Sequence, residues 1–165
     1  MTLDINNLDE VAPTITSDAS NTTSVNENSG AGQVVYTATA SDTDFNGLED
    51  ITFSLADDSL GFSIDADTGV VTTNADFAAD YEDAQSQSFT VVATDATGNA
   101  SAQQLVSVAI NNLDEVAPTI TSDATALAIN ENSGAGQVVY TATVDDSADT
   151  SEGVTFSLSG TDSAA

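Results

Sequence analysis

The segment GFSIDADTGVVTT, residues 61–73, decides the fold. Two short apolar runs, GFSI and GVVTT, flank the tetrapeptide DADT. Asp, Thr and Gly are typical of tight turns, and short apolar runs bounded by such residues are typical of β-strands. This segment therefore predicts two strands joined by a turn.

Similar short strands follow one another along the chain. Alternating apolar residues predict strands in segments 32–40, 51–55, 88–95 and 104–111, with a weaker edge strand at 14–17. In segment 32–40, Val34, Tyr36 and Ala38 alternate with Val35, Thr37 and Thr39. No segment sustains a helical period. About seven short strands in ~100 residues predict an all-β fold, a Greek-key seven-stranded β-sandwich of the immunoglobulin type.

The alternation also predicts which side chains form the core. In segment 104–111 either Leu105 or Val106 continues the inward face of Val108 and Ile110. The expected core residues are Tyr36, Phe53, Phe62, Phe89, Val91 and Val108.

Two long stretches occur twice. NNLDEVAPTITSDA occupies 6–19 and 111–124, and NENSGAGQVVYTAT occupies 26–39 and 130–143, at spacings of 105 and 104 residues. A repeat of about 100 residues has the size of one sandwich domain. We expect residues 1–10 to be the last strand and linker of a preceding repeat, 11–115 a complete repeat, and 116–165 the first half of another. We interpret Met1 as an added start residue at a cut edge.

The charge of the chain is entirely negative. The 165 residues contain 27 Asp and Glu but no Lys, Arg or His, for a net charge of −27. Nucleic acid and anionic membrane surfaces are excluded as partners because both require cationic side chains. Without salt bridges, we expect buried or clustered carboxylates to need water or a bound cation. A merely solvated acidic surface is the alternative, but it does not explain why acids cluster at repeated positions.

Cysteine is absent, so a disulfide and a thiolate metal site are excluded. No apolar run approaches the length of a membrane span, and no membrane insertion is expected. An extracellular domain without disulfides commonly has another stabilising link, and a metal is the obvious one.

Carboxylates recur at D-x-D and D-x-E spacings, which place two acids on one side of an extended chain. Like charges at that distance repel unless a cation lies between them. Carboxylate, Asn and main-chain oxygens in groups of six to eight are the ligands that Ca²⁺ prefers. Taken singly, ATDATGN and DADT are better explained as turns than as metal sites.

Several of these motifs together resemble one family. They are ENSGAG after a strand, SDTDFNG, FSIDADTGVVTT, the DYE of ADYED, VVATDATGN and the junction INNLDEVAP. The chain resembles the cadherin family, in the bacterial form found as tandem repeats of large secreted RTX-type adhesins. The resemblance covers the complete repeat and the available part of the next one.

The resemblance implies Ca²⁺ ions at the junctions between successive domains. At the junction near 111–118 it implies the ligands Glu27, Asp80, Glu82, Asn112, Asp114 and Glu115, with Asp145 or Asp146 and Asp149 from the following domain. At the junction near 6–13 it implies Asn7, Asp9, Glu10, Asp42, Asp44, Asn46 and Asp95. The family's usual junction is Asp-x-Asn-Asp-Asn-x-Pro, from which this chain departs at Asn112 and Val116.

The resemblance implies an extracellular, non-enzymatic stalk of a bacterial cell-surface or secreted adhesin, whose repeats interact with their neighbours through calcium. The alternative is a module that self-associates into a filament or biofilm matrix, because a half-repeat cannot close a sandwich alone. Catalysis is poorly supported. A Ser nucleophile has no ordinary base here, and nothing predicts the cleft or raised pKa of a glycosidase.

Overall fold

The computed structural model describes residues 9–43, 50–56, 61–149 and 153–159. The chain divides into a first unit, Met1–Asn112, and a second unit, Leu113–Ala165. Within the described ranges every regular secondary-structure element is a β-strand, and the strands are numbered β1 to β11. Those ranges contain no helical segment with the length and hydropathy of a membrane span.

The first unit contains the strands up to Asn111. In chain order they are β1 (Thr14–Ile15), β2 (Val25–Asn26), β3 (Val34–Thr37), β4 (Ala40–Ser41), β5 (Thr52–Leu55), β6 (Phe62–Ile64), β7 (Val70–Thr73), β8 (Ser86–Thr94) and β9 (Gln104–Asn111).

Two sheets of these strands form a sandwich. One sheet has the order β2-β9-β8-β5 and the other β3-β7-β6, while β1 and β4 form a separate antiparallel pair. The Phe89 ring on β8 lies against Tyr36 on β3 and Phe62 on β6, so the two sheets pack face to face. The predicted all-β sandwich of seven strands is confirmed.

The DADT turn joins β6 to β7 as predicted. The Asp65 Oδ1 accepts hydrogen bonds from the main-chain N–H groups of Asp67 and Thr68, at 3.1 and 2.9 Å. Gly69 ends the turn with φ of +69°, a left-handed conformation that glycine adopts without strain. A Cβ at Gly69 would lie 2.4 Å from the main-chain oxygen of Ala38. The turn therefore requires both an acceptor at 65 and a glycine at 69.

Aromatic side chains fill the centre of the sandwich. Phe62 and Phe89 are each 1% exposed, and their ring centroids are 4.8 Å apart. Phe77 extends this cluster, 5.5 Å from Phe62. Each fully buried Phe contributes about 1.5–3 kcal/mol through removal of apolar surface from water. These contacts hold the ends of the strands, and hence the loops beyond them, in fixed positions.

The core prediction is largely confirmed. Tyr36, Phe62, Phe89, Val91 and Val108 are buried. Phe53 is only partly buried, because β5 is an edge strand of its sheet. The alternative left open in β9 is resolved, since Val106 is fully buried whereas Leu105 is 66% exposed.

The expected continuous strand over 32–40 is wrong in two respects. A register shift between Val34 and Tyr36 interrupts the pairing of β3 with β7. As a result Val35 and Tyr36 are both buried, while Val34 is exposed. The chain then leaves this sheet, and β4 pairs with β1 instead. This change of partner carries the chain towards Asp42.

A strand at Val25–Asn26 was not predicted. It pairs in parallel with the end of β9, with Val25 opposite Ile110 and Asn26 opposite Asn111. Two residues are too few to produce an alternating pattern, so periodicity could not reveal β2. The pairing fixes the main chain immediately before Glu27.

The second unit repeats part of the first. Strands β10 (Thr119–Ile120) and β11 (Val144–Asp145) pair antiparallel, as β1 and β4 do. The hydroxyls of Ser122 and Tyr140 are 2.6 Å apart, matching the Tyr36–Ser17 hydrogen bond of 2.7 Å. Val139 and Tyr140 are nevertheless 38% and 41% exposed. Their equivalents in the first unit are covered by the opposing sheet.

Replacing Gly69 by Ala should destabilise the first unit by roughly 2–4 kcal/mol, because the left-handed φ and the clash with Ala38 act together. Gly30→Ala is the matched control, since a Cβ at Gly30 meets nothing within 4 Å. Urea unfolding followed by far-UV circular dichroism measures both variants. Equal midpoints for the two would contradict this account of the turn.

Candidate metal centre

The loop after β8 is organised around Asp95. Its Oδ1 accepts hydrogen bonds from the main-chain N–H groups of Thr97, Gly98 and Asn99, at 2.8, 2.7 and 2.9 Å. The Thr97 hydroxyl donates to the same oxygen at 2.9 Å. Gly98 adopts φ of +96°, which lets the loop close over the carboxylate. Four donors thus fix one oxygen of Asp95 in place.

The side chain of Asn99 connects this loop to the segment containing Asp9. Its Nδ2 lies 2.9 Å from the Asp95 Oδ2, 2.9 Å from the Thr97 Oγ1 and 3.2 Å from the main-chain oxygen of Asp9. The Thr97 hydroxyl also lies 3.4 Å from that main-chain oxygen. The start of the described chain is therefore held against the loop after β8.

Asp42 approaches from a third direction, immediately after β4. Its Oδ1 accepts a hydrogen bond of 2.6 Å from the main-chain N–H of Thr43. Its Oδ2 is shielded from solvent and accepts no hydrogen bond within the described ranges. A shielded carboxylate oxygen of this kind is costly unless a partner meets its charge.

These three acids form a cluster within the first unit. One carboxylate oxygen from each of Asp9, Asp42 and Asp95 lies within 4.8 Å of the other two. We call this set the Asp9–Asp42–Asp95 cluster. The sequence has no cationic side chain to meet its charge. An all-oxygen donor set with a shielded carboxylate oxygen fits a hard divalent cation such as Ca²⁺.

The ionisation of Asp95 suits this role. Burial raises the pKa of Asp95, but hydrogen bonds from Asn99, Thr97 and Gly98 outweigh burial and lower the pKa to about 2. Hydrogen bonds that stabilise the charged form are the physical cause. Asp95 is therefore a carboxylate throughout the neutral range.

A second pair of acids, Glu27 and Glu82, also lies in the first unit. Glu27 is 1% exposed, and one of its carboxylate oxygens lies within 4.8 Å of one from Glu82. The main-chain N–H of Tyr81 donates to the Glu27 Oε2 at 2.8 Å. The expectation that buried carboxylates need water or a cation was thus too strict, because main-chain amides also stabilise them.

The remaining predicted ligands of the first unit lie outside these groups. The Asp80 Oδ1 accepts hydrogen bonds from the main-chain N–H groups of Glu82 and Asp83, at 3.1 and 3.3 Å, and so closes a turn. Glu10 is exposed. Asn112 is partly buried, and its shielded Oδ1 has no hydrogen-bond donor within the described residues. Asn7, Asp44 and Asn46 lie outside the described residues.

The second unit places Asp146, rather than Asp145, in the position equivalent to Asp42. Thr119 pairs with Asp145 as Thr14 pairs with Ser41, so the next residue corresponds to Asp42. Asp145 is exposed, and its Oδ1 accepts hydrogen bonds from the N–H and hydroxyl of Ser147. Strand register thus distinguishes Asp146 from Asp145, which the spacing of the sequence alone did not.

Two further predicted ligands of the second unit, Glu115 and Asp149, are in contact. The main-chain N–H of Glu115 donates to the Asp149 Oδ2 at 2.7 Å. Asp114 is exposed. The contact ties the residues before β10 to the loop after β11.

Sequence interpretation missed the contributions of Thr97 and Asn99. The motif ATDATGN taken alone predicts a turn, and the structure shows that turn. The same turn also presents Asp95 to two other acids. The available signal was the Asn four residues after the Asp, but only the fold shows that its amide reaches Asp9.

The comparisons with known proteins agree on one fold. The Cadherin domain family model matches residues 21–111. Cadherin EGF LAG seven-pass G-type receptor 2 of Mus musculus is 35% identical over 103 residues, covering 62% of this chain and 4% of that protein. Protocadherin alpha-2 of Pan troglodytes is 31% identical over 126 residues, covering 73% and 13%. The chain therefore spans only a small part of the curated relatives it matches.

A solved structure supports the same architecture. The ectodomain of human Desmocollin-1 superposes with a TM-score of 0.60 at 22% identity, covering 81% of this chain and 26% of that chain. Similarity at this level of identity supports the fold alone.

In metal-free protein, the Asp95 carboxyl should titrate near pH 2 rather than near the usual 3.8. Because the folded pKa is lowered, Asp95 stabilises the fold fully above about pH 4, and this contribution is lost as pH falls towards 2. A ¹³C NMR titration of the carboxyl carbon measures the midpoint. Thr97→Val removes one donor and should raise it, whereas a wild-type midpoint near 4 would contradict the hydrogen-bonding scheme.

Proposed function

The chain belongs to the cadherin family, and we propose that it is a calcium-binding extracellular repeat that stiffens the stalk of a cell-surface adhesin. Cadherin domains are extracellular, calcium-dependent adhesion modules, and cadherin homologues are non-enzymatic. This agrees with the prediction that the chain has no catalytic function.

One observation carries the proposal. Three acids that are far apart in sequence, Asp9, Asp42 and Asp95, converge in a chain without any cationic side chain. Three carboxylates so close together repel one another in the absence of a cation. A divalent ion would remove that repulsion and use the shielded Asp42 Oδ2.

We propose two junction sites, the first on this basis and the second on the resemblance of the sequence to cadherins. The site near 6–13 uses the Asp9–Asp42–Asp95 cluster, with Asn7, Glu10, Asp44 and Asn46 as further ligands predicted from sequence. For the junction near 111–118, the resemblance alone implies Glu27 and Glu82 with the linker residues Asn112, Asp114 and Glu115. Asp80 and Asp149 belong to the predicted set for that junction, and of Asp145 and Asp146 we propose Asp146, which is equivalent to Asp42 by strand register.

The stiffening mechanism follows from where the ligands lie in the chain. Linker carboxylates repel those of the domains while the metal is absent, so the linker remains mobile. Bound Ca²⁺ supplies the positive charge that lets linker and domain carboxylates share one site. A metal that binds only the ordered arrangement also stabilises the folded domain, by about 2.7 kcal/mol at 100 times the Kd.

We further propose that the parent protein is a large bacterial RTX-type adhesin built from tandem repeats. Two observations support this origin. The repeated stretches at 6–19 and 111–124 are identical, as in recently duplicated tandem arrays, and the chain combines no cysteine with a net charge of −27. Neighbouring repeats joined through calcium would be its main interaction partners.

Asp42→Asn should weaken calcium binding at the first site by tenfold or more, because it removes one charge from the cluster. Isothermal titration calorimetry and native mass spectrometry measure the Kd and the number of bound ions. Asp18→Asn is the matched control, since Asp18 is exposed and, among the described residues, its carboxylate accepts hydrogen bonds from Ser20 and belongs to neither acidic group. A variant with the wild-type ion count and Kd would remove Asp42 from the site.

The second candidate function is calcium-dependent self-assembly into a filament or biofilm matrix. Its starting point is the apolar surface of the second unit, which corresponds to only part of the first unit. Leu127, Ile129, Val139, Tyr140 and Phe156 are 38–70% exposed. In the first unit the residues equivalent to Val139 and Tyr140 are buried by the other sheet. In this candidate function a second copy of the chain would cover the exposed apolar face.

Small-angle scattering and light scattering across a concentration series distinguish the two functions. A rod remains monomeric and lengthens with millimolar calcium, whereas an assembling module gains mass with concentration. If calcium or chelator changed neither the length nor the mass of the particles, both functions would be contradicted.

A further inference from the structure

We propose that Asn99 is a positioning residue that holds the linker residue Asp9 at the cation site before the ion binds. This inference rests on the proposed calcium function, and it adds a residue that supplies no charge. The carboxamide of Asn99 would act as a latch between the linker and the loop after β8.

The geometry of one nitrogen carries the proposal. The Asn99 Nδ2 has two hydrogens and three acceptors within 3.2 Å, namely the Asp95 Oδ2, the Thr97 Oγ1 and the main-chain oxygen of Asp9. The last of these is 90 residues distant in sequence. Asn99 itself is only partly buried, so its amide is placed by these bonds rather than by packing.

The two oxygens of Asp95 have different tasks in this arrangement. Oδ1 already accepts four hydrogen bonds from its own loop. Oδ2 accepts only the Asn99 amide among the described residues, and so retains lone pairs for a cation. The same amide group thus contacts both the Asp95 Oδ2 and the main-chain oxygen of Asp9.

Such a latch matters most in the metal-free state. The carboxylates of Asp9, Asp42 and Asp95 repel one another, and this repulsion acts to push the linker segment at Asp9 away from the loop after β8. The hydrogen bond from Asn99 to the Asp9 carbonyl opposes that movement. A ligand held near its binding position loses less conformational freedom on binding, which raises affinity.

Asn99→Ala removes the latch without changing any charge. We expect calcium binding at the first site to weaken roughly tenfold, the loss expected for one or two hydrogen bonds. Asn74→Ala is the matched control. Its side chain also spans a loop, donating to the Phe62 carbonyl and accepting from the Asp76 N–H. Calorimetry should give Asn74→Ala the wild-type calcium Kd, even if its melting temperature falls.

A second measurement isolates positioning from general stability. In chelator, heteronuclear ¹⁵N NOE values of residues 9–12 should be the same in wild type and in Asn74→Ala. In Asn99→Ala they should be lower than in either of these proteins. This readout needs no calcium and is insensitive to a uniform loss of stability.

The outcomes separate the two proposals. If wild type binds calcium, and Asn99→Ala has the same Kd and the same NOE values at residues 9–12, the latch is overturned while the calcium function stands. A wild-type chain that binds no calcium would overturn the calcium function, and the inference that rests on it, in the first titration.

Discussion

Repulsion between carboxylates, without a single cationic side chain to relieve it, is the constraint on which this structure depends. Each close approach of acids must be stabilised by main-chain amides, by neutral side chains or by a metal. Glu27 and Asp95 both accept hydrogen bonds from main-chain N–H groups, and Asp95 also accepts them from the neutral side chains of Thr97 and Asn99. The Asp9–Asp42–Asp95 cluster illustrates the limit, because the Asp42 Oδ2 has no donor within the described residues. This shielded oxygen without a donor is the observation that motivates the metal hypothesis.

The sandwich supplies the geometry that makes the cluster possible. Packing of Phe89 against Phe62 and Tyr36 fixes β8 against the opposing sheet, and β8 ends one residue before Asp95. The transfer of the chain from β3 to β4 brings Asp42 to the same region. Acids from distant parts of the sequence therefore meet because an apolar core, with no charge of its own, sets the loop positions.

Local patterns predicted most of the fold. Alternation of apolar residues over four or more positions identified β5, β8 and β9, and turn composition identified the hairpin of β6 and β7. Periodicity did not predict the two-residue strand β2 or the register shift after Val34, because neither changes the alternation of apolar residues. For the site, the resemblance to cadherins named Asp9, Asp42 and Asp95 together. It could not name Asn99, whose role depends on a contact across 90 residues, nor choose between Asp145 and Asp146, which strand register decides.

The contacts of Asn99 have a practical consequence for production of the protein. Residues Asn99, Ala100 and Ser101 form an N-glycosylation sequon. Oligosaccharide transfer would replace one hydrogen on the Nδ2 that reaches Asp9, Asp95 and Thr97. A glycosylating eukaryotic host would thus alter the latch covalently, whereas an unglycosylated bacterial preparation leaves it intact. The exposed sequon at Asn21 has no such contact with the cluster among the described residues. The expression host therefore determines whether the Asn99 amide at this site is free of a glycan.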